Sequence, residues 1–346
     1  MNLVTVVRPA LLALSLTASV AFAQALNLEG AVKQAFAQGP DLASSLATLA
    51  NAKADLAAKE SDPSTLIVPL TQARSAAALN QVQVDAKRLE VMNSVMGAYL
   101  NLFEAQENIK VLEAQIALDN RNLEIAKIRL AARNGTQLDV SRSENTLGAS
   151  RQSIADAKAN LPILSNRLEV LLGVSTGNLT VSAPPVFKEI KFDVAALEAN
   201  LETRLPSVLQ LAQVVQISDL SVKLSDNDYT PPATLRDNKT ALENAQRNLA
   251  TIKKSAVTQL RDAARGTLNA LEQVRLRAND RANAEEALAQ DNLKFKNGTI
   301  AKLQLQQTEL AALRSRFTYA QATNLYWRSV AALSVASGVD QTGLLK

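Results

Sequence analysis

From residue 81 to residue 133 the chain contains no Pro and a single Gly, Gly97. Within that stretch Val95, Leu102, Ile109, Ile116, Leu123 and Leu130 stand at strict seven-residue intervals, and Ala98, Ala105, Leu112, Asp119 and Ala126 follow three places behind. An apolar repeat of seven keeps one seam of a helix against a partner in a left-handed supercoil, and small residues alternating with large ones let the axes approach closely. A half-buried strand would alternate in twos instead. The segment is therefore read as a long coiled-coil helix, and the chain around it must supply something equally long to cover the seam.

Composition agrees. Apolar residues are 47% of the 346-residue chain, aromatics only 3%. That is too few aromatics for the girdles of a large membrane β-barrel. There is no Cys and no His, which removes most transition-metal ligands, most activated nucleophiles and the side chain that titrates near neutrality. With no Gly-rich phosphate loop, nucleophile elbow or H-E-x-x-H motif, an enzyme is not expected, and neither are a cofactor, a metal or a catalytic residue. The net charge of +4 is spread out, without the basic, aromatic-interleaved cluster that would point to nucleic acid.

The first residues have the form of a secretory signal. Arg8 precedes an apolar run over residues 10–20, and Ala21-Phe22-Ala23 offers a cleavage site before Gln24. The run is too short to span a bilayer, and export to the cell envelope is expected.

Farther on, the long helix is expected to stop at Asn134-Gly135-Thr136, where Asn and Gly tolerate the left-handed backbone that closes a helix and Thr can cap the next one. A return helix over about residues 138–172 follows, interrupted at Pro162, and residues 176–192 form a non-helical connector. Helix resumes over about 194–224, breaks at the DNDYTPP run, and a second Pro-free stretch covers 238–296. It ends at Asn297-Gly298-Thr299, before a last helix reaching about residue 336. The two NGT turns are 163 residues apart, Gly173-Val174 and Gly338-Val339 are 165 apart, and Pro40 and Pro206 are 166 apart. The chain thus reads as an internal duplication with a two-residue insertion. Each half is a helix of roughly 65 residues, about 97 Å at 1.5 Å per residue, lying beside two shorter helices placed end to end. The expected divisions are a signal at 1–23, a first hairpin repeat at 24–175, the connector at 176–192 and a second repeat at 193–346.

The stretch YLNLFEAQENIKVLEAQIALDNRNLEIAKIRLAARNGTQLDV from Tyr99, with its continuation to LLGV at Leu171–Val174, resembles the first hairpin of the TolC family of outer-membrane efflux proteins. The segment from about Lys254 through NGTIAKLQLQQTEL to ASGV resembles the second. The resemblance implies an all-α chain whose duplicated hairpins close, as a homotrimer, into a twelve-strand α-helical barrel. It implies a passive exit duct for small molecules or proteins, in the periplasm or outer membrane, partnered by a periplasmic adaptor and an inner-membrane transporter. One departure is plain. The family inserts paired membrane strands between the short and long helices of each half, at ~9–11 residues per strand. Here the first slot holds about residues 61–71, with Pro63 and Pro69 inside it, and the second about 225–237, which is polar. A structural strut that has lost its channel is the competing expectation, as is another envelope protein standing in for the missing barrel.

By resemblance, the hairpin tips would meet the adaptor through Arg133, Asn134, Gly135 and Thr136 and through Lys296, Asn297, Gly298 and Thr299; plain turn chemistry explains the same residues. The tunnel entrance would carry Asp139, with Gln304 and Gln307 at the comparable places of the second copy. Asp139 is equally a first-turn acid favoured by the helix dipole. Tyr99, Phe103, Phe317, Tyr319, Tyr326 and Trp327 are read as packing residues.

Overall fold

The computed structural model describes residues 26–345; the expected signal lies outside them. Nine helices follow one another among the described residues: α1 (Leu28–Gln38), α2 (Pro40–Ser61), α3 (Ile67–Ala131), α4 (Gln137–Leu172), α5 (Val194–Glu198), α6 (Leu201–Arg204), α7 (Pro206–Ser225), α8 (Pro232–Lys296) and α9 (Lys302–Ser337). The strand-like pairing found among the described residues is an isolated parallel bridge between Leu26 and Val181. The fold is all-α, as the seven-residue repeat requires, and duplicated.

The duplication has a different register from the one the NGT motifs suggest. The helices α3 and α8 have 65 residues each, α4 and α9 have 36 each. All four pairs of boundaries are separated by 165 residues: 67 and 232, 131 and 296, 137 and 302, 172 and 337. Burial obeys the same offset. The buried positions of α4 (Val140, Leu147, Ser165, Leu168, Glu169 and Leu172) map onto buried Leu305, Ala312, Val330, Leu333, Ser334 and Ser337 of α9. The two-residue insertion expected after the second turn is therefore absent. Instead the NGT tripeptide itself is displaced by two places within a turn of constant length.

The helices form one layer of four antiparallel strands. On one edge α4 and α2 stand end to end beside α3, joined to it through Lys158–Glu113, Ser150–Asp119 and Arg74–Glu60 contacts. On the other side α9 and α7 stand end to end between α3 and α8; Arg314 donates to Gln115 of α3, while Thr308 and Arg316 reach Asp291 and Glu285 of α8. At 1.5 Å per residue the layer is about 98 Å long. The end-to-end joints show the repeat most directly: Gly173, in the left-handed region at φ 68, abuts the carbonyl of Gln38, and Gly338, at φ 67, abuts that of Arg204.

Several boundaries differ from the sequence reading for local reasons. Before the first slot the chain forms two helices divided at Gly39-Pro40, and the expected 194–224 helix is split into α5, α6 and α7, with Pro206 opening the last. Each Pro sits at the first position of its helix, where its missing N–H costs nothing. By contrast α4 runs unbroken through Pro162. That residue is exposed, so the carbonyl it leaves unpaired faces water. The helix α8 begins at Pro232, six residues before the expected start. The two slots for membrane strands contain only residues 62–66 and 226–231, because α3 already begins at Ile67.

The main core lies midway along the layer, where Met92, Val95, Met96, Tyr99, Leu100 and Leu102 of α3 meet α1, the end of α4, and Trp327 and Ala331 of α9. The connector straps this region. Tyr99 Oη lies 2.8 Å from the carbonyl oxygens of Leu26 and Ser182, to which its proton is donated. Farther along, Ile190 N–H donates to Tyr326 Oη at 2.8 Å and Phe187 meets the Tyr326 ring edge-on at 5.3 Å. Glu189 pairs with Arg275 of α8. The strap thus crosses α3 and α9 to reach α8, and the aromatics are packing residues.

The strap begins on a buried carboxylate. Glu169, 3% exposed, accepts the backbone N–H groups of Thr176 and Gly177 and the hydroxyls of Ser165 and Thr176. Burial pushes its carboxyl up, but these donors outweigh that and hold it below its ordinary value. Because the folded value is depressed, Glu169 contributes its full stability above the unfolded glutamate range of about 4.3. The contribution is lost as pH falls through the lower folded value. Glu169→Gln is expected to cost roughly 1–3 kcal/mol at pH 7 and to flatten acid unfolding in this window, as followed by circular dichroism between pH 7 and 3.

Candidate functional site

The two hairpin tips lie at the same end of the layer, since Leu303, just inside α9, lines a groove with Asn134 and Gly135 of the first turn. Their closing hydrogen bonds correspond residue for residue. In the first, Ala132, Arg133 and Asn134 donate to the carbonyls of Ile128, Leu130 and Arg129; in the second, Asn297, Gly298 and Thr299 donate to those of Leu293, Phe295 and Lys294. Every member is again 165 residues on. Both are Schellman closures, in which one residue must be left-handed to return the chain onto the last carbonyls. In the second tip that residue is Gly298, at φ 72; in the first it is Arg133, at φ 56. Gly135 does not close the first helix. The expectation of equivalent Asn-Gly bends is corrected accordingly.

A left-handed side chain costs about 1–2 kcal/mol, partly offset by the backbone entropy that Gly loses on folding. Arg133→Gly is therefore expected to stabilise the hairpin by roughly 0.5–1 kcal/mol, read as a raised midpoint of thermal unfolding.

The displaced tripeptide gives its Thr residues different tasks. Thr136 caps α4 in a reciprocal box: Asp139 N–H donates to Thr136 Oγ1 at 3.2 Å, while Thr136 N–H and Oγ1 donate to Asp139 Oδ2 at 2.9 and 2.7 Å. Thr299 Oγ1 instead donates back to Lys294 O at 2.8 Å, and α9 starts from Ala301 with no side-chain cap. Asp139 is thus already employed at a helix start. The Thr136 donors, helped by Arg142 and Arg129, hold its carboxyl below the usual range. Gln304 stands at the place equivalent to Asp139 and Gln307 at that of Arg142; both glutamines are exposed.

Two acids near the tips escaped the sequence reading as functional candidates. Asp291 of α8 accepts Thr308 Oγ1 at 2.6 Å and Lys294 Nζ at 3.0 Å, and these partners, Thr308 first, lower its carboxyl. Asp119 occupies a seam position, 4% exposed, and accepts Gln115 Nε2 and Ser150 Oγ. The sequence signal for Asp119 is the acid it places in the small-residue series; Asp291 has none, being one of many acids on a polar helix.

Beside the first tip runs an open groove of about 520 Å³ whose walls carry Asp119, Asp139, Arg129 and Arg142 with Asn134 and Leu303. Large apolar side chains also stand out at this end: Ile128, Leu138, Leu293 and Phe295 are exposed, the last under Lys302 Nζ at 5.4 Å. Fixed charges balanced in sign beside bare apolar residues suit a contact surface. Among the described residues no three His, Cys, Asp or Glu side chains gather to hold a metal ion.

The fold defines a class. Three solved structures share it: the CmeC outer membrane channel of Campylobacter jejuni (13% identical, TM-score 0.64, covering 91% of this chain and 87% of that one), the outer membrane protein VceC of Vibrio cholerae (15%, 0.64, 90% and 96%) and the open state of the MtrE outer membrane channel of Neisseria gonorrhoeae (13%, 0.62, 91% and 89%). No curated protein matches the chain by sequence. Residues 68–174 match the family model described as "Outer membrane efflux protein", and the second hairpin repeats the architecture of the first.

Proposed function

We propose that the chain is the protomer of a passive exit duct in the cell envelope, three copies closing edge to edge into a helical tunnel through which small molecules or proteins leave. The observation that carries this is the four-strand layer itself. It is one helix thick, its two hairpins match in length to the residue, 65 and 36 in each, and its edge helices α4 and α8 leave Ile163, Val170, Leu268 and Leu276 exposed. A layer with two different unpaired edges closes by head-to-tail contact around a rotation axis. A strut would need one hairpin; here both are kept at full length. In this reading the tips, Arg133–Thr136 and Lys296–Thr299, receive a periplasmic adaptor that couples the duct to an inner-membrane transporter. Asp139, Gln304 and Gln307 ring the entrance.

A second reading has an observation of its own. Residues 62–66 and 226–231 are too short for membrane strands, and no described helix is long and apolar enough to cross a membrane. A periplasmic strut, or a duct reaching the outer membrane through another envelope protein, accounts for that. Electron microscopy of the purified mature protein, with and without detergent, separates the readings. Threefold particles with an open lumen and a length near 100 Å are expected; monomeric rods or solid particles under both conditions would overturn the duct.

A further inference from the structure

The displaced NGT tripeptide leaves the two Asn-Gly pairs in chemically different states. Asn297 is followed by a glycine whose N–H is donated to Phe295 O at 3.0 Å inside the Schellman closure. Asn134 is followed by Gly135, whose N–H has no hydrogen-bond partner among the described residues, in a turn where Asn134 and its flanking residues are exposed or half-exposed. We infer that Asn134 is a site of spontaneous covalent modification, deamidation through a cyclic imide, and that Asn297 is protected by the fold.

In this reaction the Gly135 backbone nitrogen loses its proton to hydroxide or water and attacks Asn134 Cγ. A new N–C bond closes a five-membered succinimide, and the side-chain amide leaves as ammonia. Water then opens the ring at either carbonyl, giving Asp or isoaspartate at position 134; nothing is oxidised or reduced. Two things are required of the attacking nitrogen: release of its proton, and freedom to rotate towards the side chain. Gly298 lacks both while its N–H closes the helix, because attack would break that bond and the left-handed turn with it. Gly135 faces neither restraint, since Arg133 has taken over the left-handed position and Asn134 N–H, not Gly135 N–H, completes the closure. The outcome alters the tip. Asn134 lines the groove in which Asp119 and Asp139 balance Arg129 and Arg142, so a carboxylate at 134 leaves that groove with an acid in excess. The charge of one tip then becomes a slow, irreversible function of the age of the protein.

The test is peptide mapping by mass spectrometry of the full mature protein incubated at pH 8 and 37 °C, native and in denaturing urea, scoring Asp plus isoaspartate at both sites. In urea the two sites should react at similar rates. In the native protein Asn134 should react at least about fivefold faster than Asn297, the factor set by about one net hydrogen bond. Equal native rates, a faster Asn297, or protection of both sites in the native protein would overturn the inference. In Gly135→Val the native signal at 134 should fall while that at 297 is unchanged; persistence of the signal at 134 would also overturn it.

Discussion

Tyr99→Ala is expected to be the most damaging single truncation in the molecule, lowering stability by about 3–5 kcal/mol. The ring is fully buried in the main core between α3, α1 and the strap, and its removal leaves a cavity flanked by Met96, Leu100 and Phe103, which the rigid helices cannot collapse to fill. The hydroxyl adds a second loss. It reaches Leu26 O and Ser182 O, residues 73 and 83 positions away, and ties the start of α1 and the strap to the long helix. Tyr99→Phe isolates that part and should cost roughly 1–3 kcal/mol, the range for stranding a buried acceptor, here Ser182 O, since Leu26 O keeps the Ser182 N–H. Urea unfolding should rank the two variants in this order. Limited proteolysis should also cut residues 176–192 faster in both. A loss below about 1 kcal/mol for Tyr99→Ala would contradict the packing described here.

The second large effect is expected at the end-to-end joint. A Cβ on Gly173 would stand 2.5 Å from the carbonyl oxygen of Gln38, and one on Gly338 would stand 2.8 Å from Arg204 Cβ and 3.0 Å from its carbonyl oxygen. Both glycines are left-handed. Gly173→Val combines a backbone cost of about 1–2 kcal/mol with overpacking of about 1–3 kcal/mol, so a loss of roughly 2–5 kcal/mol is expected. Gly338→Val should behave alike, as befits equivalent places in the two halves. The control is Gly97→Ala, in mid-helix, where an added Cβ meets nothing within 4 Å. It should stabilise by roughly 0.5–1 kcal/mol, through the lower entropy of the unfolded chain. Differential scanning calorimetry of the three variants would read both signs. If Gly173→Val unfolds with the parent, the joint is not as close as described.

The sequence made the long helices legible because their signals are local and repeated. Six apolar residues at sevens and an absence of Pro after residue 80 marked α3, whose end, Ala131, lies three residues before Asn134, and the closing Gly173 and Gly338 fall directly after the ends of their helices. The strap's docking was not legible, since Tyr99 and Tyr326 find partners 73 to 136 residues away, and an aromatic on a helix face looks the same whether it packs or binds. Pro162 misled because a Pro inside a helix is a reliable stop only when its lost bond cannot be replaced by water. The first tip misled more instructively. Asn-Gly is so strong a turn signal that it drew the bend to Gly135, while the residue that bends, Arg133, has a side chain with no preference for that backbone. The resulting register of 163 gives way to one of 165, in which buried Leu147 corresponds to buried Ala312.

Four helices of two lengths, 65 and 36 residues, make the reach of this rod a quantised property. Shortening α3 by one heptad would withdraw its tip by about 10 Å and leave α4 overhanging unless α4 lost seven residues too. The same cut would have to be made in α8 and α9 for the tips to stay level. Any change other than a whole heptad would rotate one seam away from its neighbour. A shift in the reach of the rod therefore demands four simultaneous deletions of equal size, so this architecture resists gradual change in length while its surface residues remain free to vary.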